Sequence, residues 1–172
     1  MNLIKSAKVD PKAFGKLYEK YSERVLKYIY YRVPTIEEAE DLFGQAWENI
    51  FNGIRRLEAS EELQFQKWMF MLVRNLITDK YRSTKGVCAL LDEDLVDSNL
   101  NIEEDCAAKE EHEFLHKMME NLPMQQREIL VLHFFSDLKV KEIAELLQIS
   151  ENTVSQNLSR GLKKLRIWLS NY

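Results

Sequence analysis

Apolar residues return every three or four positions along most of the chain, the spacing of helices that each bury one face. From Phe14 to Ile29 the stripe is Phe14, Leu17, Tyr18, Tyr21, Val25, Tyr28 and Ile29, and Lys16, Glu19, Lys20, Glu23 and Lys27 fill the other side. Pro34 bars its continuation, and Thr35 followed by Glu38 is a capping-box pattern that opens a second helix. The inner face of that helix reads Ala39, Leu42, Phe43, Ala46, Trp47, Ile50 and Phe51. After a polar break over 58–64, a third helix turns Phe65, Trp68, Met69, Leu72, Val73 and Leu76 inward. The period is lost from 83 to about 109 and resumes with Phe114, Leu115, Met118, Met119 and Leu122. Pro123 then breaks it, and Ile129, Leu130, Leu132 and Phe134 carry a further helix. The pattern predicts an all-α protein of two small helical domains, 1–82 and 110–172, joined by a linker over 83–109.

The stretch 138–169 predicts a helix-turn-helix. Ile143, Ala144 and Leu147 stripe its first helix, Gln148 and Ile149 make the turn, and the Ser150 hydroxyl can cap the second helix. Val154, Leu158, Leu162, Leu165 and Leu169 then face inward. The opposite side carries Asn152, Gln156, Ser159, Arg160 and Lys163, amide, hydroxyl and cationic groups suited to base edges and phosphates in a major groove. The same pattern fits an ordinary helix pair with a solvated polar face.

Charge changes the picture in one place. The chain carries −4 overall, but 83–111 holds nine acids against Lys85 and Lys109, a net of −7, so the remainder is mildly basic at +3. An acidic strap therefore separates two helical parts that could each approach a polyanion. Cys88 and Cys106 fit no metal spacing and read as free thiols. No apolar leader opens the chain, and its longest purely apolar run, Trp68 to Val73, is far too short to cross a bilayer. A cytoplasmic protein without membrane insertion is expected.

Three further patterns bear on function. The outer side of the second helix, with Glu37, Glu40, Asp41, Gln45, Glu48 and Asn49, is either a solvated face or a docking surface for a basic partner. The third helix leaves Lys67, Arg74, Asn75, Lys80 and Arg82 outside with Phe70 and Tyr81 interleaved, a mixture that binds single-stranded nucleic acid by stacking and phosphate contact. His112-Glu113-Phe114-Leu115-His116 matches the zinc-protease pattern H-E-x-x-H. The histidines border the apolar stripe, however, and the remaining one, His133, lies beyond Pro123, so no third ligand is evident. No metal, cofactor or catalytic group is expected.

These residues together resemble the bacterial extracytoplasmic function (group 4) sigma factors of the sigma-70 family. Glu38-Ala39-Glu40-Asp41-Leu42 resembles the region 2 signature that docks on the polymerase clamp helices. Trp68-Met69-Phe70, Arg74-Asn75, Asp79 and Arg82 resemble the segment that reads and melts the minus-10 element. Leu122-Pro123, Arg127, Glu142-Ile143-Ala144 and Thr153-Val154 with Arg160 resemble region 4, which reads the minus-35 element. The resemblance implies a region 2-like domain of three or four helices, and it implies core RNA polymerase, promoter DNA and an anti-sigma factor as partners. The implied minus-35 set is Asn152, Thr153, Gln156, Ser159, Arg160, Lys163 and Lys164. The implied minus-10 set is Lys67, Arg74, Asn75, Asp79, Lys80 and Arg82, and the core-docking set is Glu37, Glu40, Asp41, Gln45 and Glu48. The acidic linker would thread polymerase channels otherwise filled by nucleic acid. The chain departs from the family at Gly44-Gln45, where Gln-Glu is usual, and at Ser155, Asn157 and Leu162, where basic residues are common.

The competing reading from the residues alone is a stand-alone helix-turn-helix regulator with an N-terminal interaction domain. It accounts for 138–169 equally well, but not for the aromatic and basic third helix or the acidic second one.

Overall fold

The computed structural model describes residues 3–58, 61–85 and 106–170, apart from the side chains of 83–85 and 106–111. Most of the acidic linker, with Cys88, and the Cys106 side chain lie outside the described residues. All the elements described are α-helices: α1 Leu3–Ala7, α2 Pro11–Tyr30, α3 Ile36–Ile54, α4 Glu62–Lys85, α5 Cys106–Glu120, α6 Met124–Phe134, α7 Val140–Leu147 and α8 Glu151–Ser170. The chain divides into two compact units, Met1–Ile29 with Glu37–Asp97 and Tyr30–Ile36 with Ser98–Tyr172.

In the first unit, α2 starts where the chemistry of a helix start is strongest. Pro11 supplies a preset φ and needs no donor, and the Asp10 carboxylate accepts the Lys12 N–H at 2.9 Å. The core is built from Leu17, Tyr21, Val25 and Tyr28 of α2, Leu42, Ala46 and Ile50 of α3, and Phe65, Met69, Phe70, Val73 and Ile77 of α4, all essentially closed to solvent. One buried polar group is satisfied across helices. The Tyr21 hydroxyl donates to Glu62 Oε1 at 2.8 Å and accepts from Gln66 Nε2 at 3.2 Å. Burial, with that carboxylate as acceptor, pushes the Tyr21 phenol well above its ordinary range.

Two expectations are corrected here. The buried stripe of α4 is turned by about 60° from the expected one, so that Phe70 and Ile77 close the core while Trp68, Leu72 and Leu76 remain half-buried. Phe70 packs on Tyr28 with ring centroids 5.4 Å apart and is not an outward stacking group. On α2 and α3, Tyr18 and Phe51, expected inside, are each 40% exposed. The short α1, with Ile4 and Ala7 buried, carries too few residues for a periodic signal.

In the second unit, α8 packs on α6 and α7. Gly161 makes the approach to α6 close, since a Cβ there would stand 2.8 Å from Leu130 Cδ1. The α7–α8 turn uses Gln148 in the left-handed region (φ 56°, ψ 44°), and Ile149 N–H bonds the Ala144 carbonyl at 3.0 Å. Ser150 Oγ accepts the Thr153 N–H at 3.0 Å, closing the start of α8. Leu146, not Leu147, is the buried residue at the end of α7. Leu162 and Leu169 of the expected inner stripe are 40% and 57% exposed; at the level of Leu162 it is Gly161 that faces α6.

His116 also departs from expectation, being buried rather than at the border of its stripe. Its Nε2 lies 2.9 Å from the carbonyl oxygens of both Tyr30 and Val33, so that nitrogen carries the proton and donates. A donor nitrogen has no lone pair for zinc. His112 Nδ1 is 2.9 Å from the Tyr31 hydroxyl. The same unit buries an ion pair between Arg32 and Glu128 at 2.6 Å.

Candidate nucleic-acid and polymerase interfaces

Three helical faces carry the polar residues singled out by sequence. On α8, Val154, Leu158 and Gly161 face the core and leave Asn152, Gln156, Ser159, Arg160 and Lys163 exposed, within about 60° of Gln156 around the helix. Among the described residues neither Arg160 nor Lys163 forms an ion pair. Their charges are therefore available to phosphate. Thr153 is employed differently. Its hydroxyl is 2.8 Å from Ser150 Oγ and its carbonyl accepts Asn157 Nδ2 at 2.8 Å, so it builds the cap that orients the helix. Lys164 stands half-buried to one side.

On α4 the turned core moves the outward face with it. Asn75, Asp79 and Arg82 are exposed, Lys67 and Arg74 border them, and Met71, 39% exposed, and Thr78 join the same side. Met71 and Thr78 were missed, because a methionine within an apolar run carries no outward signal. Thr78 Oγ1 donates to the Arg74 carbonyl at 2.8 Å. The structure does not bring Lys80 to this face. Lys80 lies on the inner side of α4, its amine 3.6 Å from Glu38 Oε1, and Tyr81 donates to Glu38 Oε2 at 3.4 Å.

On α3, Glu37, Glu40, Asp41, Gln45 and Glu48 are all exposed on one broad side. Beside them is a feature that periodicity concealed. Phe14 and Tyr18 of α2 meet Phe43, Trp47 and Phe51 of α3 in a ring cluster that is partly open to solvent.

Comparison with known proteins places two stretches of the chain in one family. The family model for Sigma-70 region 2 matches residues 17–87, and that for Sigma-70, region 4 matches residues 113–165. The chain is 28% identical over 171 residues to the ECF RNA polymerase sigma factor BldN of Streptomyces coelicolor, covering 96% of this chain and 64% of that protein, so it spans under two thirds of that relative's length. It is 28% identical over 141 residues to the RNA polymerase sigma factor SigV of Bacillus subtilis, covering 80% of each. Among solved structures, CnrH in complex with the cytosolic domain of CnrY matches with a TM-score of 0.72 at 19% identity, over 98% of this chain and 96% of that one. RpoE of Bartonella quintana, solved with the anti-sigma factor NepR, matches at 0.75 and 16% identity, over 92% and 98%. These likenesses show the fold.

The chain belongs to the sigma-70 family. Within it, the relatives make it a sigma factor of the extracytoplasmic function type, a protein of promoter-directed transcription initiation. The stand-alone regulator is not retained, since the first unit is itself region 2.

Proposed function

We propose that this sigma factor binds core RNA polymerase through the acidic and amide side of α3, reads and melts the minus-10 element with the outward face of α4, and reads the minus-35 element with α8. The functional parts are 1–82 for docking and minus-10 work, 83–109 as an acidic strap, and 110–172 for minus-35 recognition. It acts in the cytoplasm, without chemistry of its own, and is held in check by an anti-sigma factor. No helix among the described residues is long and apolar enough to cross a membrane.

The observation that carries this reading is the division of α8 into a buried side and an exposed side on which Gln156 stands between Asn152 and Arg160, each one turn away. Glutamine pairs with adenine N6 and N7 in the major groove and discriminates by about 1–3 kcal/mol, whereas a lysine or arginine on phosphate favours all sequences alike. The test is transcription by reconstituted holoenzyme across a library of minus-35 variants. Gln156→Ala should flatten preference at one base pair. Lys163→Ala should weaken all promoters together and lower the salt dependence by about one ion. An unchanged preference profile for Gln156→Ala refutes the assignment.

A further inference from the structure

We propose that the roll of α4 about its own axis, and with it the set of side chains shown to the minus-10 strand, is fixed by two polar ties. Tyr21 with Glu62 and Gln66 forms one near the start of the helix, and Glu38 with Lys80 and Tyr81 forms the other near its end. Tyr21, Glu62 and Glu38 are positioning residues, acting through α4 and touching no base. The inference rests on the reading of the outward side of α4 as the minus-10 face. The need for such ties follows from composition. Trp68 to Val73 is an unbroken apolar run, and Phe65, Leu76 and Ile77 add to it, so apolar side chains point in all directions around this part of α4. Hydrophobic burial is non-directional and scales with area, so a turn of the helix exchanges one apolar group for another and leaves its roll weakly specified. In the structure Phe70 is closed to solvent and its neighbour Met71 is 39% exposed, a choice that the apolar pattern does not make.

Hydrogen bonds do make it, because they are directional. The Tyr21 side chain is fully buried, its ring centroid 5.5 Å from that of Phe65. Its hydroxyl donates to Glu62 Oε1 at 2.8 Å and accepts from Gln66 Nε2 at 3.2 Å, and the Lys20 amine meets the same carboxylate oxygen at 2.5 Å. Glu62 and Gln66 stand one turn apart, so this tie grips two successive turns and resists both roll and slide. At the far end the Lys80 amine lies 3.6 Å from Glu38 Oε1, and the Tyr81 hydroxyl donates to Oε2 at 3.4 Å. Glu62, Gln66 and Lys80 share an arc of about 60° with the buried Met69 and Val73. The two ties are about 27 Å apart along the axis, and Met71, Asn75 and Thr78 lie between them. At a helix radius of about 5–6 Å, a roll of about 10° carries a side-chain tip about 1 Å. A site must be held to within about 0.5 Å, so a loosened tie changes base selection before it changes the fold.

The test is the rate of open-complex formation by holoenzyme, reconstituted from core polymerase and the full chain, on promoters that differ one base at a time across the minus-10 element. The quantity read is the ratio of rates between the best and the worst base at the most selective position. Tyr21→Phe keeps the buried ring and removes only the hydroxyl. It should lower that ratio about tenfold, the worth of one hydrogen bond to a charged group, with helical circular dichroism retained. Glu62→Ala and Glu38→Ala should lower it as well, and Glu62→Gln, which still accepts the Tyr21 hydroxyl, should keep most of it. A merely structural role would reduce the amount of active holoenzyme and scale every promoter alike, so an unchanged ratio for Tyr21→Phe overturns the proposal. Glu23→Gln, which breaks the exposed pair with Lys27 at 2.7 Å on the same helix, should leave the ratio as it is, and an equal fall there also overturns it. Asn75→Ala separates the two layers of the argument. If it leaves minus-10 preference untouched, the reading of α4 itself falls; if it relaxes preference while Tyr21→Phe does not, that reading stands and the ties alone are removed.

Discussion

A single methyl group added at Gly161 tests how the recognition helix is seated. In an exposed helix, glycine to alanine stabilises by about 1 kcal/mol, because alanine has less backbone freedom to lose. At Gly161 the added Cβ would stand 2.8 Å from Leu130 Cδ1, 3.4 Å from Leu130 Cγ and 3.8 Å from Gln126 Cβ. The first distance is well inside van der Waals contact. Leu130 is 1% exposed and has no open side to turn into, so either its rotamer strains or α8 lifts from α6. Overpacking of this kind costs about 1–3 kcal/mol, which outweighs the propensity gain and leaves Gly161→Ala destabilised by about 1 kcal/mol. For a chain of this size that is a fall of roughly 2–4 °C in Tm. Gly15→Ala and Gly44→Ala are the matched controls. Both are in helices with nothing within 4 Å, and both should raise Tm. The assay is thermal unfolding by circular dichroism of the three variants, followed by Gly161→Ala in a Leu130→Val background, where the clash is relieved and the cost should shrink. If all three substitutions move Tm in the same direction, or if Leu130→Val gives no relief, the close seating of α8 on α6 is wrong.

Other consequences follow from particular side chains. Phe70→Ala should cost about 3–5 kcal/mol in denaturant unfolding, as for a large core residue, whereas Met71→Ala beside it should cost little. The Glu62 carboxyl is held below its ordinary range by hydrogen bonds from Lys20 and then Tyr21. A lowered folded-state pKa adds stability above the ordinary carboxylate value and loses it as pH falls through the folded value. Glu62→Gln should therefore flatten the acid limb of the stability profile from about pH 4.5 downward, measured by unfolding across pH. Asn75→Ala should impair open-complex formation and relax preference at one minus-10 base with closed-complex binding nearly intact, since an amide at the centre of the exposed α4 face can read an unstacked base; permanganate footprinting with normal opening would refute this. Elemental analysis of untagged protein should show no stoichiometric zinc, because His116 Nε2 is spent as a donor to two carbonyls.

Local chemistry made the helices, the Ser150 cap and the polar face of α8 legible in the sequence, because a period of 3.6 residues and a hydroxyl before a helix act over one turn and need no distant neighbour. The same period fixes only relative directions around a helix. Which border of a wide apolar stripe is covered depends on where the next helix sits. For that reason Phe70 and Ile77 went inside and Trp68 and Leu76 did not, although all four are apolar residues of α4. Phe51 and Leu162 illustrate the converse: their spacing places them on the apolar side, yet each is 40% exposed. Lys80 was drawn to the inner side by Glu38, 42 positions earlier in the chain, a pairing that spacing within α4 could not reveal. Sequence alone thus determined which segments are helical and what chemistry each face offers. Tertiary packing decided which faces remain open to DNA and polymerase, because burial is settled by area shared between helices distant in the chain.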